Sequence, residues 1–191
     1  MIKLIALLTD FGTTDTYVGV MKGVMLGIAP DIQLVDLTHA IQPQNIRQAA
    51  FLLLNSYRFF PPETVFLVVV DPGVGSSRRA LAVRAGQYTF VAPDNGVLSY
   101  VLDELSECQT VELTNPDYQL SGASNTFHGR DIFAPAAAHL AAGVPLDTLG
   151  APVDPPVILP DPSLVVAGKH VIGEVLHIDH FGSAVTSIGQ L

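Results

Sequence analysis

Three observations in this chain predict an α/β fold: a mostly parallel sheet with flanking helices, followed by the start of a small β domain. Val65 to Val70 is an unbroken apolar run rich in β-branched side chains, which suits a strand buried on both faces. Apolar runs and segments of helical spacing alternate up to that strand in the order β-α-β-α-β, the pattern of parallel strands joined by crossover helices. Carboxylates recur beside glycines just past the apolar runs, at Asp10, Asp71 and Asp94. Open α/β sheets bind ligands at the carboxyl ends of their strands.

Taken in order, Ile2 to Thr9 reads as a strand ending in the turn TDFGTTD. Tyr17 to Ala29 has helical spacing, with Val18, Met21, Met25 and Ile28 on one side and Pro30 closing it; Thr14 or Asp15 is placed to cap it. Gln33 to Leu37 is a second strand, followed by His39, and Asn45 to Tyr57 a second helix. The central strand stops at Asp71-Pro72-Gly73, because Pro72 lacks a ladder N–H and Gly73 permits positive φ. Ala80 to Ala85 and Tyr88 to Ala92 form a hairpin about Gly86-Gln87. Val97 to Leu105 is a short helix, Thr110 to Leu113 a strand, and the polar stretch SGASNTFHGRD from Ser121 a loop before an Ala-rich helix from Ile132 to Ala142.

Residues 1–150 thus form an α/β domain. Residues 151–164 form a linker, with five prolines and two aspartates between Ala151 and Pro162. Residues 165–191 hold two strands, Val171 to Asp179 and Ala184 to Ile188, which cannot make a core alone and read as an incomplete β domain.

Composition narrows the function. The chain has 191 residues, 49% hydrophobic and 14% charged, with net charge −9 and only 9 Lys and Arg. So acidic a chain is poorly suited to nucleic acid or anionic membranes. A single cysteine, Cys108, precludes an internal disulfide and fits a reducing cytoplasm. No signal peptide and no apolar run of membrane-spanning length stands out.

Four clusters can carry chemistry: Asp10 with Asp15, Asp71 with Arg78, Asp94 with Asn95, and His128 with Arg130. Each also has a structural reading. An Asp before Pro-Gly can simply bond turn amides, and Asp131 can cap a helix. No phosphate-binding loop is present, and HIDH at His177 lacks a third ligand at defined spacing, so no metal site is expected.

Five ordered motifs make the pattern specific: TDFGTTDTYVGVMKG, LTHAIQPQN, VVVDPGVGSSRR, APDNGVL and NTFHGRDIFAPAAAHLA. Together they resemble the adenosine-forming S-adenosylmethionine hydrolases, the SAM hydroxide adenosyltransferases, which are related to fluorinase and chlorinase. The resemblance covers residues 2 to about 150 strongly, and residues 171–191 as the first strands of the family's C-terminal β domain. It implies that Asp71, Arg78 and His128 prepare water to attack the ribose C5′, releasing adenosine and methionine. It implies that Asp10 grips the ribose hydroxyls, and that Asp15, Asn95, Phe127, Asp179 and Phe181 contact substrate. It further implies a homotrimer whose sites lie between subunits, and no cofactor.

Phe181-Gly182-Ser183 and Thr186-Ser187 depart from the family's FGN and TN elements, and the resemblance implies that most of the β domain expected to supply adenine contacts lies outside these 191 residues. Halogenation by the same displacement is the alternative, but Asp71 would set an anion beside the halide. A non-catalytic protein that binds adenosine or S-adenosylmethionine is the other.

Overall fold

The computed structural model describes residues 3–105, 107–122 and 124–188. The chain divides into two compact units, Met1–Ile158 and Leu159–Leu191.

The first unit is a six-stranded sheet in the order β2-β1-β3-β5-β4-β6. Its strands are β1 (Leu4–Thr9), β2 (Gln33–Thr38), β3 (Val65–Val69), β4 (Ala80–Ala85), β5 (Tyr88–Pro93) and β6 (Cys108–Glu112). Pairs β1–β2, β1–β3 and β3–β5 are parallel, and only β4 runs against its neighbours, so the sheet is mostly parallel. The reversal follows from the tight β4–β5 connection at Gly86-Gln87, where Gly86 adopts φ 54°.

Helices cover both faces: α1 (Tyr17–Ile28), α2 (Ile46–Ser56), α3 (Ser99–Leu105) and α4 (Ala134–Ala141). Alternation along the strands supplies two cores. Ile5, Leu7, Leu67 and Val69 pack with Met21 and Met25 of α1 and the alanines of α4. Ala6, Leu8, Phe66 and Val68 pack with Ala49 and Leu53 of α2 and Val101 of α3. β1 and β3 are buried along their whole length, so apolar runs rather than alternation mark them in the sequence. No helix among the described residues is long and apolar enough to cross a membrane.

Several elements differ from expectation. The α1 N-cap is Thr16, not Thr14 or Asp15, and its side chain makes no capping bond. Asn45 does cap α2, accepting from the Gln48 N–H. The helix expected from Ile132 is preceded by a π-helical turn, Gly129–Phe133, before α4 begins at Ala134. α3 starts at Ser99 rather than Val97.

In the second unit the strand expected over Val171 to Asp179 is broken. It forms β8 (His170–Gly173) and β9 (Val175–Ile178), which pair with β7 (Leu164–Ala167) and β10 (Ala184–Thr186) in two separate antiparallel ladders. The break falls at Glu174, whose N–H leaves the ladder to donate to Ser187 Oγ at 2.8 Å.

Phe66 is fully buried among Phe60, Tyr88 and Phe90, with ring centroids 5.3 to 5.7 Å away. Phe66→Ala should lower unfolding stability by about 3–5 kcal/mol in urea titrations. A loss below about 1 kcal/mol would show that this cluster does not support the sheet.

Candidate functional site

The register sets the site. Thr9 pairs with Val69 across β1–β3, and Leu67 with Val91 across β3–β5. Asp10, Asp71 and Asp94 therefore leave adjacent strands at the same end of the sheet.

Asp71 and Arg78 make the tightest contact there. Arg78 Nε donates to Asp71 Oδ1 at 3.1 Å and Oδ2 at 3.0 Å, and Nη2 donates to Oδ2 at 2.5 Å. Both side chains are nearly excluded from solvent, at 9% and 5% exposure. Breaking such a buried pair by removing one partner costs about 3–5 kcal/mol, because the other charge stays buried. The guanidinium also lies 5.2 Å from the centroid of the buried Phe133 ring.

Arg78 Nη2 makes a second contact, 2.7 Å from His128 Nδ1. An arginine has no acceptor, so Nδ1 must be the accepting, unprotonated nitrogen. The proton of the neutral ring is then on Nε2. Consistent with this, His128 is held below the usual histidine range, first by burial and next by the Arg78 charge, against the opposing pull of Asp71 and Asp131.

The loop that carries His128 is fastened at both ends. Asp131, buried on the π-helical turn, accepts from Arg130 Nε at 2.5 Å and Nη2 at 3.0 Å, and from the Ser124 N–H at 2.8 Å. Burial works to raise its pKa, but these bonds outweigh it and hold the carboxyl below its ordinary value. At the other end, Gly75 (φ 79°) comes so close that a Cβ there would stand 2.9 Å from the Asn125 carbonyl oxygen. Asp131 is not the helix cap that the sequence allowed: it lies inside the π-helical turn, whose N-cap is His128, and its carboxylate is spent on Arg130 and on Ser124, which carries no local signal.

The other candidates are placed as follows. Asp10 is half-buried and accepts from the Gln44 N–H at 2.8 Å. Asp15 is exposed and lines a cleft with Thr13, Lys22, Asp36 and His39. Asn95 donates to the Val70 carbonyl at 2.9 Å and accepts from the Val97 N–H at 3.2 Å, so its amide ties together the ends of β3 and β5. Phe127 is 44% exposed and lines a cavity of about 340 Å³ with Phe11, Tyr17, Val20 and Arg130. Asp94 is taken up by Arg79 at 2.7 Å and by the Val157 N–H at 2.7 Å, so adjacent arginines serve different carboxylates. Asp179 and Phe181 belong to the second unit, where the Asp179 carboxylate accepts from the Phe181 and Ser183 N–H groups and Phe181 is 90% exposed. A larger cleft of about 850 Å³ opens at the opposite end of the sheet, and none of the candidate residues lines it. Among the described residues no three His, Cys, Asp or Glu side chains are grouped to hold a metal.

Gly75→Ala should therefore strain the turn and push the His128 loop away, lowering stability by about 1–3 kcal/mol and speeding amide exchange from Ser124 to Arg130. Unchanged exchange in that loop would count against the two loops bracing one another.

Comparison with known proteins agrees with the motif order. The model of the SAM hydroxide adenosyltransferase N-terminal domain matches residues 5–150. A Thermus thermophilus protein named (R)-S-adenosyl-L-methionine hydrolase is 44% identical over 188 residues, covering 95% of this chain and 72% of its own. A Nocardia brasiliensis fluorinase is 32% identical over 213 residues, covering 97% and 71%. The crystal structure of an uncharacterized conserved protein from Thermotoga maritima superposes with a TM-score of 0.90 at 44% identity, over 96% of this chain and 70% of that one. The chain belongs to the SAM hydroxide adenosyltransferase family.

Proposed function

We propose that this protein hydrolyses S-adenosylmethionine to adenosine and methionine. The observation that carries the reading is the Asp71–Arg78–His128 junction, in a chain 44% identical to a relative named as such a hydrolase. The substrate is a sulfonium whose thioether leaves neutral and unprotonated. Water oxygen forms a bond to C5′ as the C5′–S bond breaks, and one water proton must be lost.

The hydrogen bonds of the junction support the following roles. Asp71 takes three contacts from one guanidinium and retains acceptor capacity for one O–H. It therefore orients the water and receives its proton. His128, its Nδ1 occupied by Arg78, offers Nε2–H to a lone pair of the same water. With both bonds made, the remaining lone pair points at C5′ in line with the leaving sulfur. Asp10 holds the ribose hydroxyls, and the aromatic cavity of Phe11, Tyr17 and Phe127 takes an apolar part of the substrate. Asp15, Asn95, Asp179 and Phe181 are assigned to the substrate on family resemblance, Asn95 by fixing the neighbouring strand ends. The displacement as drawn uses no cofactor.

The halogenase reading is disfavoured by the same junction. An anionic Asp71 facing the nucleophile repels halide, and the fluorinase relative is less similar than the hydrolase. Assembly as a trimer fits the exposed apolar side chains of α1, Tyr17, Val20 and Leu26.

Chromatography after incubation with S-adenosylmethionine should show adenosine and methionine in equal amounts. Asp71→Asn should lower kcat by ~10²–10⁴-fold with little change in KM, whereas Asp10→Ala should chiefly raise KM. An active wild type whose Asp71→Asn variant keeps its rate would reduce Asp71 to a turn residue.

A further inference from the structure

The carboxylates at the ends of β3 and β5 are held by Arg78 and Arg79, whereas Asp10 at the end of β1 accepts from the Gln44 N–H. Asp10 follows Thr9, which is completely buried. Thr9 Oγ1 lies 2.9 Å from Nδ1 of His39, a histidine only 6% exposed. His39 Nε2 lies 3.0 Å from Asp36 Oδ1, a charge contact without hydrogen-bond geometry, and Lys22 Nζ donates to Asp36 Oδ2 at 2.6 Å. Threonine, histidine and carboxylate in this order look like a nucleophilic triad. The complete burial of Thr9 rules that out, because no substrate atom can reach its oxygen.

Burial raises the Asp36 pKa, but the contacts with Lys22 and His39 outweigh it and keep the carboxyl ionised. An ionised Asp36 only accepts, so Nε2 carries the His39 proton. With the ring neutral, Nδ1 then accepts from the Thr9 hydroxyl. The Thr9 oxygen is left to accept, and the Phe11 N–H donates to it at 3.3 Å. The His39 carbonyl accepts from the Gly12 N–H at 2.8 Å, where Gly12 adopts φ 66°. Beyond His39 the chain returns so that the Gln44 N–H meets Asp10 Oδ2. These contacts converge on the turn Asp10-Phe11-Gly12 from the segment after β2.

We propose that His39 is a positioning residue for substrate binding, fixing through Thr9, and with Asp36 and Lys22 behind it, the turn that aims the Asp10 carboxylate. The proposal rests on the reading of Asp10 as the ribose ligand. The Thr9–His39 bond and the backbone bonds at Gly12 and Gln44 set the turn before substrate arrives, and Asp36 and Lys22 act on His39 through charge. Losing one of these bonds misplaces Asp10 without touching the Asp71–Arg78–His128 junction.

The test uses Thr9→Val, which keeps the β-branched shape and removes the hydroxyl, beside Thr9→Ser, which keeps it. Asp36→Asn is a third variant, at a side chain 42% exposed. Adenosine binding by calorimetry and steady-state hydrolysis are both measured. Thr9→Val should weaken adenosine binding and raise KM by roughly tenfold, the effect of one lost hydrogen bond, with kcat within about twofold. Thr9→Ser should restore wild-type values, and Asp36→Asn should shift KM in the same direction as Thr9→Val. Wild-type binding and KM in Thr9→Val, or a kcat loss at constant KM, overturns the proposal alone. So does a serine variant as impaired as the valine one. A silent Asp36→Asn overturns the part given to Asp36 and Lys22. A wild type that neither binds adenosine nor forms it refutes the ribose role of Asp10, and the proposal falls with it.

Discussion

Arg78 is the hinge of the site's electrostatics. One guanidinium neutralises a buried carboxylate, fixes a histidine tautomer and rests against the Phe133 ring. Each partner comes from a different part of the chain: Asp71 from the end of β3, His128 from the loop before the π-helical turn, and Phe133 from that turn itself. A lysine would keep the charge but not the fork that reaches carboxylate and imidazole together. Nearly all solvent is excluded from the pair, so the cost of burying its charges is met only while this geometry persists.

The surrounding backbone serves that geometry. The parallel ladder β1–β3–β5 brings three acidic turns to one edge, and each is braced differently. Asp71 is met by Arg78, Asp94 by Arg79 and the Val157 amide, and Asp10 by the Gln44 amide beside the Thr9–His39 contact. The three carboxylates look equivalent in sequence and end with different capacity to meet a ligand. Asp94 has an arginine on one oxygen and an amide on the other. Asp71 faces one cation. Asp10 is bound on one oxygen by a single amide.

Much of this is legible in the sequence. The apolar run Val65 to Val70 announces a buried strand, and with it the position of Asp71. The ordered motifs bring Arg78 and His128 together on resemblance. What stays hidden depends on pairings between distant residues. Thr9 and His39 are separated by 30 positions and Arg78 and His128 by 50, and no local pattern records such contacts. Nor does helical periodicity distinguish a π turn from an α turn, so it places the start of the last helix at Ile132, inside the π turn. The strand over Val171 to Asp179 fails for a related reason: its composition is β-like throughout, and the interruption at Glu174 depends on a bond to Ser187.

Arg78 fixes His128 as a neutral ring protonated on Nε2, and the proposed mechanism makes Asp71 the proton acceptor. Nitrogen NMR of the His128 imidazole tests this directly. At neutral pH Nδ1 should resonate as an unprotonated nitrogen and Nε2 as a protonated one. Because burial and the Arg78 charge lower the pKa, this state should persist as the pH falls past about 6.5, where a free histidine becomes charged. A doubly protonated ring at neutral pH, or a neutral ring with its proton on Nδ1, would contradict the account.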